Sequence, residues 1–159
     1  EAGRLDLELI DFAELVRGEV EDRRASGRDI ELSIDSMPTG LDILGDRVAL
    51  RRVLFNLVDN ALRYGTSAHV SLTADAGILE LCVDDDGPGI PAAKRDELMQ
   101  PFSRLEASRS RETGGAGLGL AIVQTLVAAH GGHVSIGDAP TGGARVTVTL
   151  PKFAFSTER

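Results

Sequence analysis

The sequence has 159 residues and a mass of 16.8 kDa, which is the size of one ordinary domain. Hydrophobic residues make up 42% and charged residues 26%, and this composition excludes a disordered or collagen-like chain. A net charge of −8 excludes general attraction to nucleic acid or anionic lipid, so an anionic ligand needs a local site. The chain lacks a long apolar run and a signal pattern, and it has a single cysteine, Cys82; we expect a soluble, cytoplasmic protein.

Helical and strand patterns alternate along the chain. Asp11 with Glu14, and Asp46, occupy positions typical of helix N-caps, whereas Gly27 and Gly65 stand where the helices end. The predicted elements are helices at 12–26 and 46–64, a short helix beginning at Pro91, a helix at 118–129, and strands at 30–35, 41–46, 69–74, 78–84, 133–138 and 144–150. Because consecutive strands read as antiparallel pairs, we expect an α+β two-layer sandwich: one mixed, mostly antiparallel sheet with about three helices on one face.

Residues 85–115 are irregular and rich in glycine and charge. A segment of this length without regular structure is unusual in a compact domain unless it is functional, so it predicts a flexible lid.

The helix predicted at 46–64 carries a polar row beside its core face. The core face consists of Leu50, Leu54, Leu57 and Ala61, and the polar row of Arg52, Asn56, Asn60 and Arg63. On the far side of the row, Val48, Phe55 and Leu62 predict an apolar flank that partly buries the amides. Surface asparagines bound to water are one interpretation; the other is that two amide oxygens face a ligand or a hard cation, which prefers oxygen.

A second motif, Asp85-x-Gly87-x-Gly89, follows directly after a predicted strand. The carboxylate is an acceptor suited to an exocyclic amine, and the glycines allow the backbone to approach a ligand closely. A dinucleotide fingerprint is excluded, because the aspartates at 84–86 would repel a pyrophosphate. A polar turn without a ligand is the alternative interpretation.

A third motif, Gly115-x-Gly117-x-Gly119, opens an apolar helix whose free N–H groups would suit an anion. Upstream arginines, Arg104 among them, are either phosphate ligands or part of a solvated loop of mixed charge. A metal-binding amide row, an acceptor for an amine and an anion site together describe the chemistry of Mg-ATP.

Four segments, NLVDNALRYG (56–65), DDDGPGI (84–90), QPFSR (100–104) and GGAGLGL (114–120), resemble in order and spacing the N box, the first glycine box, the F box and the second glycine box of sensor histidine kinases. That family shares its ATP-binding fold with gyrase B, Hsp90 and MutL. The resemblance covers nearly the whole chain. It implies one catalytic domain over 1–159, with 1–10 as the remnant of a connection from a missing dimerisation domain and 91–114 as the ATP lid.

The resemblance also assigns roles to individual residues. Asn60 would coordinate Mg2+ with Asn56 as a supporting or second ligand, Asp85 would accept from the adenine amine, and Phe102 would anchor the lid. The residues implied in ATP binding are Asn56, Asn60, Arg63, Tyr64, Asp85, Gly87, Gly89, Ile90, Phe102, Arg104, Gly115, Gly117, Leu118, Gly119 and Leu120. Asn56 and Asn60 are the implied catalytic residues.

The chain departs from the family pattern at two points. Relatives that hydrolyse ATP have a glutamate where this chain has Asn56, and an amide cannot take a proton at neutral pH. Hydrolysis is therefore disfavoured relative to transfer to an imidazole. The histidines, His69, His130 and His133, lack the sequence setting of a phosphoacceptor and are interpreted as structural.

The expected function is transfer of the γ-phosphoryl group of Mg-ATP to a histidine on a separate dimerisation domain of the same kinase, for relay to a response regulator. The resemblance implies a cytoplasmic domain of a membrane-anchored, homodimeric sensor. For this segment we expect a monomer that binds no nucleic acid and does not insert into a membrane. The alternatives are a serine kinase of the anti-sigma type and a nucleotide-sensing module without transfer activity.

Overall fold

The computed structural model describes residues 4–34, 41–75, 77–100 and 119–153. Its elements are β1 (Glu8–Asp11), α1 (Phe12–Ala25), β2 (Ile30–Ile34), β3 (Asp42–Gly45), α2 (Arg47–Tyr64), β4 (Ala68–Ala74), β5 (Ile78–Asp85), α3 (Ala92–Leu98), α4 (Gly119–Ala129), β6 (His133–Asp138) and β7 (Ala144–Pro151). No helix in these ranges combines the length and the apolar character needed to cross a membrane.

The main sheet has five strands in the order β2-β4-β5-β7-β6. All neighbours are antiparallel except β2 and β4, so the sheet is mixed and mostly antiparallel. Burial alternates along β5, where Leu81 and Val83 are buried while Glu80 is exposed, so one face meets the helices and the other faces solvent. The pairing of β5 with β7 joins the local hairpins β4–β5 and β6–β7. The predicted α+β class is confirmed.

The predicted antiparallel pairing of the strands at 30–35 and 41–46 is wrong. Strands β2 and β3 do not pair with each other: β3 pairs with β1, which the sequence analysis missed, and β2 runs parallel to β4. The physical reason is burial, because β1 and β3 place Ile10 and Ile43 in the core, both at most 1% exposed. The β1–β3 pair is a second, two-stranded sheet. Residues 8–10, within the segment expected to be a connection, belong to β1.

The predicted helix caps are confirmed. Asp11 Oδ1 accepts from Glu14 N over 3.1 Å, and Asp46 Oδ1 accepts from Ala49 N over 3.1 Å. Helix α2 ends at Gly65, whose N–H donates to Ala61 O.

His130 has the structural role that the sequence predicted. Its Nε2 accepts from Asp46 N over 3.0 Å, and its Nδ1 lies 2.8 Å from Leu126 O, which fits the neutral tautomer with the proton on Nδ1. The ring therefore connects the end of α4 to the start of α2. His69 also has a partner, on the neighbouring strand β2, because its Nε2 lies 2.9 Å from Ser33 Oγ.

Gly132 allows the close approach of the α4–β6 connection to β7. A Cβ at this position would overlap Thr149 O and lie 2.9 Å from Val127 Cγ1. We expect Gly132→Ala to lower the free energy of unfolding by about 1–3 kcal/mol, because overpacking forces backbone shifts. Gly137→Ala in β6 is the matched control, since its Cβ would meet nothing within 4 Å. Urea unfolding that shows equal stability for both variants would contradict this account.

Candidate functional site

A cavity of about 250 Å³ lies where α2 and β5 end and α3 begins. Its lining consists of Tyr64, Asp85, Pro88, Gly89, Ile90, Pro91, Lys94, Leu98 and Ala144. The cavity therefore brings together four residues that the sequence analysis had singled out: Tyr64, Asp85, Gly89 and Ile90.

Asp85 ends β5 and is only 6% exposed. Its Oδ1 accepts from Gly87 N over 2.9 Å and from Ala144 N over 3.1 Å. No residue in the described ranges donates a hydrogen bond to Oδ2. One carboxylate oxygen is thus held by two backbone N–H groups, and the other remains available as an acceptor for a ligand in the cavity.

The two neighbouring aspartates have different partners. Asp84 makes a bidentate ion pair with Arg145, at 2.7 Å to Nε and 2.8 Å to Nη2, and this hydrogen bonding raises the pKa of Arg145 above its ordinary value. Asp86 accepts from the backbone N–H and the hydroxyl of both Thr66 and Ser67, at 2.7–3.3 Å. Only the middle carboxylate of the run lines the 250 Å³ cavity.

The hydrogen bonds to Asp86 give it a pH-dependent role in stability. The Thr66 hydroxyl, followed by the backbone N–H groups of Ser67 and Thr66, lowers the pKa of Asp86 to about 2. Because the folded-state pKa lies below the ordinary value of 3.8, the stabilisation is complete above that value and is lost as the pH falls towards 2.

We therefore expect the stability difference between the wild type and Asp86→Asn to be largest near neutral pH and to shrink below about pH 4. Urea unfolding of both proteins across this range measures the difference. The pH-dependent contributions of the carboxylates that both proteins share cancel in it. A difference that stays constant, or that grows as the pH falls, would contradict the assignment.

Gly89, which lines the cavity, and Gly87, two residues earlier, are glycines for steric reasons. A Cβ at Gly87 would overlap Tyr64 O, so the end of α2 and the β5–α3 connection can touch only through glycine. Gly89 has φ +84°, a left-handed conformation that side-chain-bearing residues rarely adopt. Both positions belong to the glycine motif that the sequence analysis singled out.

The two asparagines of α2 do not line the cavity. They lie one and two turns before Tyr64, about 6 and 12 Å along the helix axis. Asn60 is 6% exposed, and no residue in the described ranges bonds to its amide. Asn56 is half-buried, its Nδ2 is buried without an acceptor among the described residues, and it lies against Gly119 at the start of α4.

The asparagines are partly or fully buried, as the flanking apolar residues predicted, although two of the three residues on the far side of the row are themselves exposed. Val48 is 78% exposed and Phe55 is 49% exposed, whereas Leu62 is buried. The Phe55 ring is covered on one face by the Arg23 guanidinium, 4.2 Å from the ring centroid.

The remaining predicted site residues fall into three groups. Arg63 is exposed and lies 3.5 Å from Asp59 in an i, i+4 ion pair. The Leu120 side chain is 2% exposed and belongs to the hydrophobic core, while Gly119 is half-buried. Five predicted positions lie outside the described residues: Phe102, Arg104, Gly115, Gly117 and Leu118.

The cavity also includes residues that the sequence analysis did not name as site residues. Pro88 lies within the glycine motif and Pro91 follows it by two residues, so both could have been found from their place beside the motif. Ala144 arrives from β7, far along the chain, and no local signal marks it. Lys94 projects from α3 and is exposed.

Comparison with known proteins relates this chain to one family, to a relative of similar sequence and to two solved structures. Residues 45–154 match the family described as histidine kinase-, DNA gyrase B- and HSP90-like ATPase. The sensor histidine kinase CpxA of Escherichia coli is 41% identical over 126 residues, covering 79% of this chain and 28% of CpxA.

Among solved structures, full-length ShkA in complex with AMPPNP matches with a TM-score of 0.75 and 32% identity, over 97% of this chain and 33% of ShkA. The ATP-binding domain of PrrB from Mycobacterium tuberculosis matches with a TM-score of 0.75 and 28% identity, over 94% of this chain and 99% of that domain. The chain thus spans about a third or less of CpxA and ShkA.

Proposed function

Since the chain belongs to the histidine kinase-, DNA gyrase B- and HSP90-like ATPase family, we propose that it binds Mg-ATP and transfers the γ-phosphoryl group to a histidine. The acceptor histidine lies on the dimerisation domain of a two-component sensor kinase and passes the phosphoryl group to a response regulator. The names of relatives such as CpxA, a sensor histidine kinase, support this assignment over a serine kinase or a nucleotide sensor. The proposed setting is the cytoplasmic part of a homodimeric membrane sensor.

The observation that carries the proposal is the geometry of Asp85. Its Oδ1 is held by two backbone N–H groups, which leaves Oδ2 as an acceptor in a cavity of about 250 Å³. Adenine presents an exocyclic amine, which would donate to this oxygen, whereas guanine presents a carbonyl at the same place. Ile90 and Tyr64 supply apolar surface on which a flat base can pack. The AMPPNP bound by ShkA supports an adenine nucleotide as the ligand.

The asparagines of α2 fit a site for phosphates and a hard cation. The described residues contain no group of three or more histidine, cysteine, aspartate or glutamate side chains placed to hold a metal ion. Mg2+ is commonly held by one or two protein oxygens together with substrate phosphates, and the Asn60 amide has no other partner in the described ranges. Asn60 would hold the ion, which when bound neutralises charge on the phosphates. The buried Nδ2 of Asn56 would donate to a phosphate oxygen.

Asn56 also favours transfer over hydrolysis. A general base for water must accept a proton at neutral pH, and an amide cannot. An imidazole acceptor is itself a nucleophile and needs no such base. We propose that residues 91–114, which include Phe102 and Arg104, act as the lid over the triphosphate together with the glycines at 115 and 117. Arg63 would contribute positive charge.

The test is phosphoryl transfer from radiolabelled ATP to a supplied dimerisation domain that carries the acceptor histidine. An acid-labile, base-stable phosphate on that domain is expected, as phosphohistidine requires. An acid-stable phosphate would instead indicate a serine kinase, and ATP binding without transfer would indicate a sensing module.

A further inference from the structure

The turn between β6 and β7, residues 139–143, lies against Asp85. The turn and the residue that follows it donate hydrogen bonds to the backbone O and to the Oδ1 of Asp85. Thr141 Oγ1 donates to Asp85 O over 2.7 Å, and Ala144 N, immediately after the turn, donates to Asp85 Oδ1 over 3.1 Å. Gly143, which stands between these two donors in the sequence, is buried. A Cβ at this position would overlap Asp85 Oδ1 and O. One short segment thus fixes the main chain and the side chain of Asp85.

This turn is held together by its own hydrogen bonds. Ala139 N donates to Gly143 O over 2.9 Å, and Gly142 N donates to Ala139 O over 3.0 Å. Gly142 has φ +100°, as a tight turn requires. An exposed threonine in a turn ordinarily bonds to its own turn or to water. The Thr141 hydroxyl bonds instead to a strand 56 residues earlier in the chain.

Asp85 lies between two cavities. The first is the 250 Å³ cavity proposed for the base, and the second, of about 160 Å³, is lined by Asp85 and Thr141 together with other polar residues. A carboxylate at such a boundary can turn towards either side unless its backbone and one oxygen are held. The Thr141 hydroxyl holds the backbone from the side of the second cavity.

We propose that Thr141 is a positioning residue that sets the base selectivity of the nucleotide site. By fixing the Asp85 peptide, its hydroxyl keeps Oδ1 on the two backbone N–H groups and leaves Oδ2 as the acceptor for the base. When the hydroxyl is removed, water from the second cavity replaces it, and the carboxylate is no longer restricted to one orientation. The inference rests on the proposed recognition of adenine by Asp85.

Three variants test the proposal in the whole chain. Thr141→Val removes the hydroxyl at nearly constant shape, and Thr141→Ser retains it. Thr147→Val on β7 is the matched control, because its hydroxyl lies 3.6 Å from Cys82 Sγ and does not contact Asp85. By calorimetry, we expect Thr141→Val to weaken ATP binding about 3- to 10-fold and GTP binding less, so that selectivity falls. Thr141→Ser and Thr147→Val should match the wild type.

A second readout needs no nucleotide. The amide protons of Gly87 and Ala144 both bond to Asp85 Oδ1, so NMR can follow the carboxylate directly. Thr141→Val should shift both resonances and speed their exchange, whereas Thr147→Val should not. Unchanged amides and unchanged selectivity in Thr141→Val, or equal losses in the serine and valine variants, would overturn the positioning role. If Asp85→Asn binds ATP normally, the proposed adenine recognition fails instead, and the amide readout still decides whether Thr141 holds Asp85.

Discussion

Replacing Asn60 by alanine is expected to reduce phosphoryl transfer to a supplied histidine domain by about 100-fold or more, because the proposed Mg2+ ligand is lost. Binding of nucleotide without metal should fall much less, since the base cavity is untouched. Asn60→Asp keeps an oxygen ligand but places a negative charge beside the phosphates, so an intermediate loss of transfer is expected. Transfer from radiolabelled ATP in the presence of Mg2+ measures the loss of activity in both variants, and calorimetry without metal measures nucleotide binding.

The matched control for Asn60 is Arg52→Ala, an exposed member of the same polar row that has no proposed role in the site. Both variants should keep the fold, because neither changes the apolar residues that α2 contributes to the core, among them Leu50, Leu54, Leu57 and Ala61. Near-normal transfer by Asn60→Ala, or equal losses in the two variants, would mean that the row is an ordinary helix surface.

Asp85→Asn is expected to weaken ATP binding by roughly 1.5–3 kcal/mol, which is about 10- to 150-fold, because a charge-assisted hydrogen bond is lost. The structure sharpens this expectation. The amide oxygen of asparagine can take the place of Oδ1 on Gly87 N and Ala144 N, which puts an NH2 donor where Oδ2 had been. A donor there repels the adenine amine and suits the guanine carbonyl, so GTP should lose less affinity than ATP.

Calorimetry with both nucleotides checks this prediction, with Asp84→Asn as the neighbouring control. Asp84 pairs with Arg145 and does not line the base cavity, so its replacement should lower stability without changing the ratio of ATP to GTP affinity. If ATP affinity is unchanged in a folded Asp85→Asn variant, Asp85 does not recognise adenine.

Local signals in the sequence predict most of the helices and two of the hairpins. Asp11 and Asp46 cap their helices as their spacing indicates, and the glycine motif at the end of β5 contributes Asp85 and Gly89 to the cavity lining. The parallel pairing of β2 with β4 was not predictable in the same way, because strand partners are chosen by burial across the whole fold. The closeness of the strands predicted at 30–35 and 41–46 along the chain favoured the wrong partner for β3.

The partners of Asp84 and Asp86 were also beyond the sequence analysis. Identical residues at 84, 85 and 86 have different surroundings, because side chains alternate between the faces of a strand and because β5 ends at Asp85. Asp84 faces Arg145 on β7, which no local pattern reveals. The same holds for Ala144 and Thr141, which reach the site only when β7 lies beside β5.

That pairing of β5 with β7 has a consequence for the order of folding. The hairpins β4–β5 and β6–β7 can form from neighbouring residues, but joining them requires closing a loop between residues such as Val83 and Val146. The cavity and the hydrogen bonds to Asp85 exist only after this long-range step. Nucleotide at 100 times its dissociation constant would therefore stabilise the native state by about 2.7 kcal/mol without stabilising a chain that holds only the separate hairpins. ATP would then slow unfolding more than it speeds folding, and its binding would report the completion of the sheet.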